Sequence, residues 1–167
     1  MNDKVKIKLA KYSTKTNARG RSFITEILWY ILQILFFSNF LPGSLHRVLL
    51  LKIFGAKIGK NVTIKPYVKV KFPWKLQIGS NTWIGEEVWI ENYEHVKIGN
   101  NCCISQGAFM CSGMHNFKKE NFELIDCDPT IIEDSCWIAA KAKIPPNSFI
   151  KEGTFVKMGA IYKNEKE

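Results

Sequence analysis

Three histidines and five cysteines are the scarcest residues of this 167-residue chain that could carry chemistry, and His115 has the setting that points to a task. It lies in Gly113-Met114-His115-Asn116, where a regular pattern breaks off into a long insert. Histidine's ordinary pKa of about 6.5 leaves an imidazole largely neutral at pH 7, able to take a proton from a hydroxyl. General-base chemistry is therefore the expectation at His115. His95 falls at a corner of the same pattern and reads as solvated; His46 falls in an apolar segment and reads as structural or surface. The cysteines Cys102, Cys103, Cys111, Cys127 and Cys136 are odd in number and form no Cys-x-x-Cys pair, and no cleavable signal peptide opens the chain. Reduced thiols, a cytoplasmic location and no metal site follow as expectations.

The element that must hold His115 is a repeat. Ile58-Gly-Lys-Asn61, Ile78-Gly-Ser-Asn81 and Ile98-Gly-Asn-Asn101 recur at intervals of 20 residues. Within each interval an aliphatic residue returns every six, as in Ile58, Ile64, Val70 and Ile78, Ile84, Ile90; the series resumes from Ile132 to Val156, with Tyr162 last. Four positions after each comes a second inward candidate, often small or β-branched, such as Val62, Thr82, Cys102, Cys136 or Thr154. No helix has a period of six. Three six-residue steps close one triangular coil, so residues 57–162 are expected to form an all-β solenoid whose aliphatic residues stack coil on coil. Gly and Asn at the corners suit tight or positive-φ turns. The extra pairs Leu76-Gln77 and Val96-Lys97 are expected to bulge at one corner, and Trp74 and Glu94 fit the inward slot poorly. Ile98 to Ile132 spans 34 residues instead of 18 or 20, which leaves a loop over 112–131. A long loop on a regular scaffold is usually functional.

Two zones precede the solenoid. Residues 1–20 carry Lys4, Lys6, Lys8, Lys11, Lys15 and Arg19 against Asp3 alone and are expected to be a disordered tail. Residues 21–56 are apolar and split by Pro42-Gly43 into two helices. The uncharged run from Ile27 to Leu45 nearly reaches bilayer length, but Gln33, Asn39 and Pro42-Gly43 interrupt it and cations flank both sides, which argues against a span. Two readings stay open: the helices cover an open end or side of the solenoid, or residues 21–45 lie in a membrane surface. Residues 163–167 form a short tail. With 24 cations against 15 acids the chain is at +9, which suits a phosphate-bearing partner. No nucleic-acid motif is present, so no nucleic-acid partner is expected.

Together the repeats, the loop and His115 resemble the hexapeptide-repeat acyltransferases. Within them, FGAKIGKNV, YVKVKFPWKLQIGSNTWIGEEVWIEN and ISQGAFMCSGMHNF look most like the colanic acid biosynthesis acetyltransferases. The resemblance implies a left-handed parallel β-helix and a homotrimer with sites between subunits. It implies acetyl-CoA as cosubstrate, with no bound cofactor, and a sugar or lipid-linked glycan acceptor for O-acetylation. By the family motif His115 is the general base. Asn92 is its expected partner from the coil below, and Glu91, Trp89, Met114, Asn116 and Phe117 are expected to line the acceptor site. Asn116 stands where the family often has an acid. Ala139, Ala140, Lys157, Met158 and Lys163 match the donor groove, although Lys157-Met158 replaces a pair of small residues. Two competitors are a non-catalytic trimeric scaffold or binding module, and a γ-carbonic-anhydrase-like metalloenzyme, for which His95 and His115 lack a third histidine in the solenoid.

Overall fold

The computed structural model describes residues 5–12 and 19–164. From Lys57 the chain winds as a parallel β-solenoid of three sheets. The first sheet stacks β1 (Lys57–Ile58), β4 (Leu76–Ile78), β7 (Val96–Ile98), β12 (Thr130–Ile132) and β15 (Phe149–Ile150). The second stacks β2 (Thr63–Ile64), β5 (Trp83–Ile84), β8 (Cys103–Ile104), β13 (Trp137–Ile138) and β16 (Phe155–Val156). The third stacks β3 (Lys69–Val70), β6 (Trp89–Glu91), β9 (Phe109–Cys111) and β14 (Lys143–Ile144). The insert forms an antiparallel hairpin, β10 (Met114–His115) with β11 (Leu124–Ile125), at the corner between the third sheet and the first.

The six-residue period becomes this register. Ile58 pairs with Ile78, Ile78 with Ile98, Ile98 with Ile132 and Ile132 with Ile150. Every aliphatic residue of the series from Ile58 to Val156 is buried, and so are the second inward residues Val62, Thr82, Cys102 and Cys136. Thr154 and Tyr162 are half-buried, because the last coil is incomplete.

The corners divide the expected roles of Gly and Asn, and the bulge is not where it was expected. The repeated glycines are there for close approach: a Cβ on Gly79 would lie 2.5 Å from the Gly99 carbonyl carbon of the next coil. The left-handed residues are the asparagines two positions later, Asn61, Asn81 and Asn101, at φ 54, 57 and 55°. Tyr67, Glu87 and Lys141 adopt the same conformation at the following corners. Leu76-Gln77 and Val96-Lys97 do not bulge, since they extend β4 and β7, and Leu76 and Val96 are buried. The extra length lies at the preceding corner, in the 3₁₀ turn Pro73–Lys75. There Trp74 stacks on Phe72 at 5.2 Å and its Nε1 donates to Arg19 O, while the Glu94 carboxylate accepts from His95 N and faces Lys75. The insert is two residues shorter than expected, because Thr130 and Ile131 already belong to β12.

The first coil would expose an unpaired edge. Helix α1 (Phe23–Leu32), a π-helical turn (Gln33–Phe37) and helix α2 (Leu45–Ile53) cover it. Trp29 Nε1 donates to Val70 O at 2.8 Å and Val70 N donates to Gln33 Oε1 at 2.7 Å. Ser38 and Ser44 hydroxyls reach Val68 O, Val62 O and Ile64 N. Trp29, Phe37 and Leu51 are fully buried beneath the coil, each contributing about 1.5–3 kcal/mol by area. Arg47, one of the cations that flank the apolar run, is wholly buried and donates to the carbonyls of Phe37, Asn39, Leu41 and Gly43, which fixes the turn between the helices.

The basic segment is also partly ordered. Residues 5–12 run along the insert, where Lys8 N donates to Glu120 O at 2.7 Å and Lys8 and Lys11 clasp the Glu120 carboxylate at 3.0 and 2.7 Å. The rest of the expected disordered tail, residues 1–4 and 13–18, and the end of the C-terminal tail, 165–167, lie outside the described residues.

Candidate active site

Each coil presents its third-sheet residues outward at the same height as those of the coils above and below. Lys71, Glu91 and Cys111 therefore stack 20 residues apart. Lys71 Nζ lies 3.0 Å from Glu91 Oε1, and the Cys111 thiol lies 3.4 Å from Glu91 Oε2 and 3.2 Å from Gly113 O. Burial first, then the Glu91 charge, pushes the Cys111 thiol up, so it stays protonated. The hairpin folds His115 over this stack. A cavity of about 430 Å³ lies between them, with Tyr93 and Phe72 at its base and Tyr12, Arg19 and Glu26 closing it from the N-terminal side. Gly113 is required at the hairpin root, because a Cβ there would sit 2.8 Å from Tyr93 Cβ.

The imidazole of His115 is held from two directions. Its ring lies flat on Phe122, centroids 4.4 Å apart and planes 2° from parallel. Its Nδ1 lies 2.8 Å from Phe122 O. A carbonyl oxygen can only accept, so Nδ1 carries the proton and Nε2 keeps a lone pair in the neutral ring. Phe122 is in the left-handed region, φ 48°, which turns its carbonyl back toward the histidine. Tyr12 faces the ring at 5.7 Å. Arg19 and Glu26 pair at 2.8 Å on the wall. The Tyr93 hydroxyl is buried without a hydrogen-bond partner among the described residues, and burial is the first cause raising its pKa.

Of the residues expected beside the base, as its partner or lining the acceptor site, Glu91 joins His115. Asn92 does not: its side chain is fully buried, and its amide bonds Phe72 N at 3.0 Å and Phe72 O at 2.6 Å, tying the first coil to the second. The corner after β6 turns it inward. Trp89 lies outside the cavity on the third sheet, packed on Phe109 at 5.0 Å. Met114 and Phe117 are exposed on the hairpin, and Asn116 shapes its turn by accepting from Lys118 N at 3.0 Å. The ring of His115 is held by the Phe122 carbonyl and not by Asn116. Sequence reasoning missed Lys71 and Cys111, which the 20-residue spacing from Glu91 could have found. Tyr12, Arg19 and Glu26 leave no such signal, since a separate chain segment brings them in.

The donor candidates lie elsewhere. Ala139 and Ala140 follow β13, and Lys157 and Met158 follow β16, all at the corner between the second and third sheets. Ala139 N donates to Val156 O, and Gly159 N to Ala140 O, so the two tracts are stacked one coil apart. Ala139 is buried, Ala140 half-buried, and Lys157, Met158 and Lys163 are exposed. The third sheet separates this corner from His115. Among the described residues, no three His, Cys, Asp or Glu side chains converge as metal ligands.

No family model matches the chain. It is 37% identical over 150 residues to WcaF of Escherichia coli K12, assigned as a colanic acid biosynthesis acetyltransferase, covering 89% of this chain and 81% of that one. Among solved structures, it superposes on a hexapeptide-repeat acetyltransferase of Vibrio cholerae in complex with acetyl-CoA. The TM-score is 0.76 and the identity 19%, over 84% of this chain and 77% of the other. A maltose O-acetyltransferase of Clostridium difficile 630 gives a TM-score of 0.67 at 16% identity, over 83% and 80%. These two share the fold, and the WcaF match extends to the sequence. The chain belongs to the hexapeptide-repeat acetyltransferases, in the branch of the colanic acid biosynthesis acetyltransferases.

Proposed function

We propose that this protein transfers an acetyl group from acetyl-CoA to a hydroxyl of a sugar, within a surface or exopolysaccharide precursor. The observation that carries this reading is the Nδ1 contact of His115 with Phe122 O, which leaves Nε2 as the basic nitrogen on the wall of a polar cavity. The acceptor O–H gives its proton to Nε2 as its oxygen attacks the thioester carbonyl carbon. A backbone N–H holds the tetrahedral oxyanion. The C–S bond then breaks, and the imidazolium returns the proton to the departing thiolate. No acyl-enzyme forms. Glu91, held between Lys71 and Cys111, and the unpartnered Tyr93 hydroxyl suit the remaining hydroxyls of a sugar.

The active assembly is a homotrimer. The base and the donor tract sit on different corners of one solenoid, so each complete site draws on two subunits. The cytoplasm, where acetyl-CoA is made, is its place. The test is thiol release from acetyl-CoA by purified protein with a panel of sugar acceptors, comparing wild type and His115→Ala. Acceptor-dependent release, lost in the variant, is the expected result. Release that persists in His115→Ala rules out the base. No release together with no CoA binding by calorimetry turns the solenoid into a scaffold.

A further inference from the structure

The helical end of the solenoid carries a surface that acetyl transfer does not use. Fourteen large apolar side chains between Phe23 and Ile53 are exposed, as many as in all the other described residues. They are not scattered. Ile24, Leu28, Ile31 and Leu35 follow helical spacing on one side, and Leu45, Leu49 and Ile53 do so on α2. Trp29 of α1, Phe37 of the π-helical turn and Leu51 of α2 pack instead against the first coil, so the apolar surface is turned away from the solenoid. Continuous exposed apolar surface of this extent marks an interaction site.

Charge identifies the occupant. Residues 19–75 contain ten Lys and Arg against Glu26 alone, or +9, whereas residues 76–164 contain eight against eleven, or −3. Glu26 is buried and paired with Arg19. Lys57, Lys60, Lys65 and Lys69 are all exposed, and they leave the first coil from the first sheet, two successive corners and the third sheet in turn. They ring the capped end. An apolar centre inside a cationic ring fits the interface of an anionic bilayer. Arg47 is buried and Lys71 and Lys75 pair with Glu91 and Glu94, but a second copy docking the same end would still set the exposed Arg21, Lys52, Lys57, Lys60, Lys65 and Lys69 against their own copies, which disfavours it. No helix among the described residues is long and apolar enough to cross a membrane, so the fit is to the surface.

We infer that the α1–α2 end of the solenoid docks on an anionic lipid surface. Resting on the acetyl-transfer reading, this names the acceptor class as a glycan carried on a lipid anchor. Helix α1 supplies both the exposed apolar side and, through buried Glu26, one wall of the His115 cavity, so a headgroup at the interface comes within reach of the base. Threefold assembly would place three equivalent ends at one height, multiplying the contact.

The experiment is co-sedimentation of the full chain with vesicles of phosphatidylcholine alone and of phosphatidylcholine with phosphatidylglycerol. Binding is expected to the anionic vesicles and to weaken with salt. Ile31→Gln, Leu35→Gln and Leu49→Gln combined should weaken partitioning at least tenfold. Removal of Lys57, Lys60, Lys65 and Lys69 should weaken it by roughly fivefold per lysine. Circular dichroism and transfer to a soluble sugar report that the variants fold, because none of these residues lines the cavity. The inference is overturned if wild type ignores anionic vesicles, if neither variant changes binding, or if the glutamine variant alters only the assembly size in sedimentation. Lost docking with intact soluble transfer, and intact docking without transfer, separate the two readings.

Discussion

The two corners on either side of the third sheet differ sharply. At the corner that carries the insert, the polar side chains around the base are held: His115 is stacked and hydrogen-bonded, Glu91 is held from above and below, and Gly113 admits the hairpin. At the corner after β13 and β16 the chain offers a buried alanine, a half-buried one and mobile-length side chains facing solvent. On the acetyl-transfer reading, one chain would build the acceptor half and leave the donor half open. His115→Ala should lower turnover by about 10²–10⁴-fold without changing the fold. The sharper break comes from mixing. His115→Ala and Ala140→Trp subunits, each inactive alone, should regain about a quarter of wild-type activity when reassembled one to one, because hybrid sites join an intact base to an intact donor tract. If each chain held a whole site, the mixture would stay inactive.

Neighbouring residues at the built corner also part ways. Glu91 faces the cavity, while Asn92 closes the backbone behind it. Asn92→Ala leaves the N–H of Phe72 buried and unpaired, while its C=O keeps the Lys75 N–H, at a cost of about 1–3 kcal/mol. Thermal unfolding should show that loss, with turnover per folded molecule largely kept. A loss of turnover comparable to His115→Ala, with stability unchanged, would return Asn92 to the chemistry.

How much of this was legible in the sequence depends on distance along the chain. The inward series from Ile58 to Val156 was readable because burial repeats with the register, and His115 because it stands where the repeat stops. The stack Lys71–Glu91–Cys111 was implicit in the same 20-residue arithmetic. Asn92 was misplaced because the alternation of inward and outward residues lapses at the corner. Tyr67, Glu87 and Lys141 adopt left-handed conformations that their side chains do not advertise; the coil imposes them. The tautomer of His115 is set by a backbone carbonyl, to which the identity of Phe122 gives no clue. Arg19 and Glu26 reach the cavity because the helices cap the first coil, and Tyr12 because residues 5–12 dock on the insert.

Cys111 tests whether the built corner uses its thiol. The group lies on the cavity wall, yet burial and Glu91 keep it protonated, so it is a poor nucleophile. Cys111→Ser should leave turnover within about threefold, since a hydroxyl can still donate to Glu91. A covalent route through sulfur would cost orders of magnitude, and an acetylated thiol would appear by mass spectrometry.

The smallest expected effect concerns the arm that closes the cavity. Lys11 and then Lys8 hold the Glu120 carboxyl well down, at about 2 instead of 4.5. A depressed carboxyl favours the docked arm wherever it is ionised. Docking should therefore be complete above pH 4.5 and fail progressively as pH falls toward 2. The pair is exposed to solvent, so salt should weaken it as well. Glu120→Gln should reproduce the acid state at neutral pH. Hydrogen exchange at the Lys8 amide, whose N–H donates to Glu120 O, reads the release directly. Because Tyr12 faces His115, the freed arm opens one wall of the acceptor site and should raise the acceptor KM by roughly twofold with kcat nearly unchanged. If exchange rises while KM stays fixed, the arm is a fastening of the insert and no part of the acceptor site. The built corner would then end at Tyr93.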